Sequence, residues 1–199
     1  MAKRILGPDF ISPEEIAQSR GLAYTKMQLE KIRDTLPAPN ILRWWRGSGI
    51  ILVAGPPRRM SLLDIRSMKS DYFRPMMRDG WYTEAAQKFA RADKSETIWI
   101  ALSKEPVEGS LDKNWAEQSD LVDESMEVPN AAEVTWCLTT YRAVRDTYLL
   151  PTRCVRTSSV DSDGDHVYVG QFGAIGLEVN AYLNARHNSI LGVSAARKF

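Results

Sequence analysis

Two periodicities divide this chain. From Asn130 the apolar positions recur at helical spacing, with Val134, Leu138 and Tyr141 on one stripe and Ala132, Trp136 and Ala143 beside it. Asn130 and Glu133 have the spacing of a capping box, so a long helix is predicted over 131–146. Beyond Pro151 the period falls to two. Val167-Tyr168-Val169 alternates as a strand does when one face is buried, and short strands are predicted at 152–156, 167–172, 176–179 and 191–195.

Upstream, Ser12-Pro13-Glu14-Glu15 opens a helix that stops near Gly21. A second helix is predicted over 22–36, ended by Pro37-Ala38-Pro39, then a strand at 49–54 stopped by Gly55-Pro56-Pro57. A helix over 83–91 with Thr83 as its cap, a strand at 97–102 and a short helix over 113–121 complete the reading. Trp44-Trp45-Arg46 falls in a loop-like stretch and could face a partner. The other tryptophans sit beside apolar neighbours and read as core. Helices and strands mixed first, then consecutive strands, predict an α+β fold with an antiparallel sheet.

The tail from Cys154 separates a regular skeleton from residues without pattern. Fixed points are Thr157-Ser158-Ser159, Asp161-Ser162-Asp163-Gly164, Val167-x-Val169-Gly170, Gly176-Leu177-x-Val179, Leu191-Gly192-Val193 and Ala195-Ala196-Arg197-Lys198-Phe199. Between them stand Asp165, His166, Tyr168, Gln171, Ile175, Glu178 and the run 180–190. A frame that carries unrelated side chains outward is suited to recognition.

With Glu127-Val128-Pro129-Asn130-Ala131-Ala132-Glu133, this skeleton resembles the variable proteins of diversity-generating retroelements, in their bacterial, archaeal and viral branch. The likeness covers 97–199. In that family reverse transcription rewrites adenine-rich codons at the end of one gene. The resemblance implies a C-type-lectin-like domain over 95–199 with a variable region at about 165–190; residues 1–94 are expected to form a helical and stranded N-terminal part, either separate or integral to the same domain. Adenine replacement in an Asn codon ending in a pyrimidine cannot yield Lys, Glu, Gln, Met or Trp, and none of these occurs in 180–190. Gln171 and Glu178 cannot arise from such a codon, so they are fixed or come from other codons.

The ligand-binding residues expected on this basis are Asp165, His166, Tyr168, Ile175, Asn180, Ala181, Tyr182, Leu183, Asn184, Ala185, His187, Asn188, Ser189 and Ile190. Tyr offers a large contact area with few torsions to freeze, and Asn and Ser adapt their hydrogen bonds. The expected partner is a variable ligand, a protein or alternatively a sugar. In this reading the displayed side chains carry almost none of the stability. Two other functions fit the same fold: a formylglycine-generating-enzyme-like oxidase and a fixed phage tail or fibre component.

Composition narrows the field. A chain of 199 residues, 44% hydrophobic, can bury a substantial core. A net charge of +1 without a basic stripe argues against nucleic-acid binding. No apolar run approaches a membrane span, and the opening residues have no secretory h-region, so synthesis in the cytoplasm is expected, with a virion or cell-surface destination left open. No catalytic residue, cofactor or metal is expected. Cys137 and Cys154 read as buried free thiols. Asp161 to Asp165 lacks the EF-hand order, whose sixth and twelfth places fall on His166 and Phe172, and reads as a turn. Arg197 and Lys198 are expected to tie the last strand to the body.

Overall fold

A computed structural model describes residues 1–75 and 80–199. In chain order it forms α1 (Ala2–Leu6), β1 (Phe10–Ile11), α2 (Pro13–Arg20), α3 (Lys26–Asp34), α4 (Pro39–Trp45), β2 (Ile50–Ala54), α5 (Leu62–Met68), α6 (Phe89–Ala92), β3 (Trp99–Ser103), α7 (Trp115–Ser119), α8 (Ala131–Arg145), β4 (Cys154–Val160), β5 (His166–Gly173), β6 (Gly176–Ala181), β7 (Leu191–Val193) and β8 (Ala196–Lys198). The fold is α+β, as the pattern predicts.

The strands form two four-stranded sheets rather than one antiparallel sheet. The first has the order β1-β2-β3-β8 and the second β6-β5-β4-β7. Both are mixed: β1 runs parallel to β2, and β4 parallel to β7. The first sheet joins β1 and β2 from the N-terminal half to β3 and β8 from the C-terminal half. A single hydrophobic cluster extends from Ala2 to Ala196.

The predicted long helix is α8, capped by Asn130 through a capping box with Glu133 and ended by Asp146 in the left-handed conformation. It is buried on all sides from Ala131 to Tyr141, not on stripes alone. Burial on all sides makes an unpartnered polar group costly; Thr135 Oγ1 is left without a partner among the described residues, while other groups find one. Trp136 Nε1 donates to Ala54 O at 2.9 Å, Thr139 Oγ1 to Thr135 O at 2.7 Å, and buried Glu133 accepts from Lys198 Nζ at 2.8 Å. Lys198 also reaches Glu127 at 3.1 Å, so the last strand is tied to the body through Lys198. Arg197 instead lies over the Phe199 ring.

Several predicted boundaries shift. The second helix starts at Lys26 because Thr25 caps it through Gln28, leaving Leu22 to Tyr24 outside any helix or strand. The helix predicted over 83–91 is absent: Trp81–Thr83 is a 3-10 turn, and α6 occupies only Phe89–Ala92. Thr83 spends its hydroxyl on Gly80 O and does not cap a helix. Trp44-Trp45-Arg46 is not loop but the end of α4, which Pro39 starts at a helical first turn.

Neither outer strand of the second sheet is left open. Beside β6, Arg74 N donates to Leu177 O at 3.0 Å and Trp81 Nε1 to Val179 O at 3.3 Å. Beside β7, Val107 N donates to Val193 O, and Gln118 Nε2 to Leu191 O. Irregular segments cover both edges, where unpaired strand groups would otherwise face solvent.

Candidate functional site

The strand alternation in β5 turns Val167 and Val169 inward and leaves His166 and Tyr168 half-buried on the other face, while an irregularity between Gly170 and Gly173 breaks the alternation before buried Phe172. The β4–β5 turn is locked as predicted. Asp161 Oδ1 accepts from Asp163 N and Asp165 N, each at 2.9 Å, and Gly164 takes a φ of 88°. Among the described residues no three His, Cys, Asp or Glu side chains gather as a metal would require.

The segment after β6 is ordered and clings to the body through its backbone. Tyr182 N donates to His166 O, Trp115 N to Asn184 O at 2.9 Å, Asp112 N to Asn188 O at 3.1 Å and Cys154 N to Ile190 O at 2.8 Å. Arg153 Nη1 reaches Ser189 O at 2.9 Å.

Arg156 on β4 supplies the centre of this attachment. Its guanidinium is fully buried, and Nη2 donates to Leu183 O at 3.1 Å and Arg186 O at 3.2 Å. Nη1 donates to Gln118 Oε1 at 2.8 Å and Lys113 O at 3.2 Å, binding α7 to the same residue. Burial lowers its pKa, but an Arg stays cationic through the neutral range. Carbonyl oxygens satisfy most of the charge. Such bonds depend on the path of the chain and not on the side chains along it.

Of the predicted site residues, none is buried. Ile175, Leu183, Ala185, His187 and Ser189 are exposed; Asp165, His166, Tyr168, Asn180, Ala181, Tyr182, Asn184, Asn188 and Ile190 are half-buried. Leu183 is 50% exposed, unusually open for its size. Leu183, Ala185, His187 and Ser189 are thus the exposed positions of one loop, which Tyr182 opens with its ring 5.6 Å from the Arg156 guanidinium carbon.

Three of these residues are placed differently from the rest. Ile175 sits at the β5–β6 turn, where Gly173 pairs with Gly176, while His166 and Tyr182 lie at the far end of that hairpin. Seven strand steps separate them, roughly 20 Å, so Ile175 is not part of the same patch. Tyr168 is drawn into an internal network: its hydroxyl donates to Glu178 Oε1 at 2.8 Å, and burial together with that carboxylate raises its pKa. Arg74 completes this network through Glu178 and Gln171.

Asn184 is the third. Its Oδ1 accepts from His166 N at 2.9 Å and lies 2.8 Å from His166 Nδ1, while its Nδ2 donates to Gly164 O at 2.9 Å. Asn184 N in turn donates to Asp165 Oδ1 at 2.8 Å. This clasp joins the β4–β5 turn to the loop, so Asn184 carries stability that a purely displayed residue would not. Its carbonyl oxygen facing His166 places the imidazole proton on Nδ1 and leaves Nε2 as an acceptor.

Trp115, expected in the core, is half-buried, and it and exposed Glu117 lie beside the predicted site residues. Trp115 stacks on His166 with ring centroids 3.6 Å apart and planes 16° from parallel. Glu117 Oε2 is 3.3 Å from His187 Nε2. Arg156 was likewise missed; an Arg at an inward position of a strand is the one hint the sequence offers. Burial of the imidazole lowers the His166 pKa, outweighing the Asn184 bond and the nearby Asp165 and Asp161 carboxylates.

Both cysteines are buried, as predicted. Burial raises Cys137 well above the ordinary thiol value and pushes Cys154 up to about 12. The chain matches no protein-family model, no curated protein and no solved structure.

Proposed function

We propose that this protein binds ligands through a diversified surface carried on a C-type-lectin-like scaffold, and that a retroelement supplies the diversity. The observation that carries the reading is the way the 180–190 segment is held. The scaffold grips it through Leu183 O, Asn184 O, Arg186 O, Asn188 O, Ser189 O and Ile190 O. Every residue type offers a carbonyl oxygen, so this anchorage survives changes of side chain. Leu183, Ala185, His187 and Ser189 point into solvent and can be exchanged at little energetic cost.

The partner in this reading is a protein, or alternatively a sugar, and changes from one version of the tail to the next. The oxidase reading on the same fold requires a reactive thiolate. Cys137 and Cys154 are held protonated by burial, which supports recognition over thiol chemistry.

The test is a library in which positions 183, 185, 187 and 189 are randomised together. Most members are expected to fold with melting temperatures within a few degrees of the parent, and selection on unrelated proteins is expected to return different winners for each. A library that mostly fails to fold sinks the proposal. Independently, the flanking DNA should contain a reverse transcriptase gene and a near-copy of the codons for 165–190 differing only at adenines.

A further inference from the structure

We infer that the chain has a second, unvarying interaction surface on α1 and α4, built to seat an acidic polypeptide. Trp44 is 71% exposed, the most open of the large aromatic side chains among the described residues. It stands on ordered helix. Its neighbour Trp45 is 1% exposed and meets Phe199 edge-on at 5.6 Å, which fixes the rotation of α4 and leaves Trp44 outside. The following turn is closed by Ser48, whose backbone N and Oγ both donate to Trp45 O, at 3.0 and 2.7 Å.

The charges borne by the chain on either side of Trp44 are of one sign. Arg43 and Arg46 flank it, both exposed and neither in an ion pair among the described residues. No Asp or Glu occurs from Thr35 through Ile50. Helix α1 packs on α4 and adds an exposed Arg4 and an exposed Met1. Trp and Arg are the residue types that dominate binding energy at protein interfaces. Unpaired arginines beside a rigid aromatic match a partner offering carboxylates around an apolar side chain, with bidentate Arg–carboxylate pairing to orient it.

The geometry favours a polypeptide over a lipid surface. The inward side chains of the two helices, Leu6, Leu42 and Trp45, are consumed by the core, so no apolar face remains for a bilayer. Three guanidinium groups without a wider basic stripe are also too few for a nucleic-acid backbone. None of these residues lies in the 165–190 region, so this surface stays constant whatever the tail becomes.

Three probes test this with the full-length protein: a short peptide of Asp and Glu residues around Phe and Leu, its Lys-for-acid counterpart, and phosphatidylglycerol vesicles. The readout is the indole N–H resonance that disappears in Trp44→Ala. The acidic peptide is expected to shift it saturably, and the Lys peptide to leave it in place. Charge reversal in Arg43→Glu/Arg46→Glu is expected to weaken the acidic peptide about tenfold or more. These positions are exposed, so the doubly reversed protein folds, as its unchanged remaining indole resonances would verify. No shift with the acidic peptide, a shift indifferent to charge reversal, or vesicles binding in place of the peptide would each overturn the inference.

Discussion

Replacing Arg156 with Met probes the support of the loop without changing any residue on its surface. The side chain is fully buried and makes four hydrogen bonds, to Leu183 O, Arg186 O, Lys113 O and Gln118 Oε1. Met fills much of the volume but donates nothing. A typical intramolecular hydrogen bond contributes about 1 kcal/mol net, so the loss is about 4 kcal/mol. Relief of the cost of burying a cation offsets part of this, and stranding the buried Gln118 oxygen adds to it. For a chain of this size each kcal/mol lowers the melting temperature by roughly 2–4 °C, which predicts a fall of about 8–16 °C.

Calorimetry measures the fall, and amide exchange shows where it originates. The amides of Arg186, donating to Leu183 O, and Trp115, donating to Asn184 O, should lose protection first. Arg156→Lys keeps the charge but cannot span four acceptors, and should fall between the two. A variant Arg156→Met melting within about 2 °C of the parent, with these amides still protected, would refute the view that buried guanidinium sets the loop's path.

Other outcomes follow from the same geometry. Asn184→Ala removes three side-chain hydrogen bonds and should cost about 2 kcal/mol, whereas His187→Ala or Ser189→Ala should stay within about 0.5 kcal/mol in a denaturant titration. His166 is held below its ordinary pKa of 6.5, so the unfolded chain takes up this proton first as the pH falls. Its stability contribution is therefore complete above pH 6.5 and declines as the pH drops toward the folded value. His166→Phe keeps a ring against Trp115 and should remove that part of the decline, measured as melting temperature against pH. Gly176→Ala would place a Cβ 2.5 Å from Arg74 N at a φ of 97°, and should cost about 2–4 kcal/mol by thermal melting.

Features encoded by near neighbours in the chain were legible. Asn130 with Glu133 and Ser12 with Glu15 announce their helices, and alternation about Val167 and Val169 announces β5. Helix α5 carries the same kind of signal, Ser61 with Asp64, and could have been found. What stayed hidden depends on long-range contacts. The partner of Arg156 Nη2 lies at Leu183 and Arg186, and Trp115 meets His166 across the fold. The parallel pairing of β4 with β7 is equally invisible, because β7 has only three residues and no local turn joins the two strands to set their register. The three asparagines 180, 184 and 188 read alike in sequence. Only position 184 proves to clasp the β4–β5 turn.

For the proposed exchange of tail residues, the covered margins of the second sheet have a consequence for solubility. A greasy or β-prone replacement at Leu183 or Ser189 would, beside a naked strand, invite neighbouring molecules to stack into insoluble ladders. With Arg74 and Trp81 closing one side and Val107 and Gln118 the other, stickiness acquired by the tail has no template to propagate along. Under the proposed variation, adhesive tips would find no open strand of this sheet to pair with.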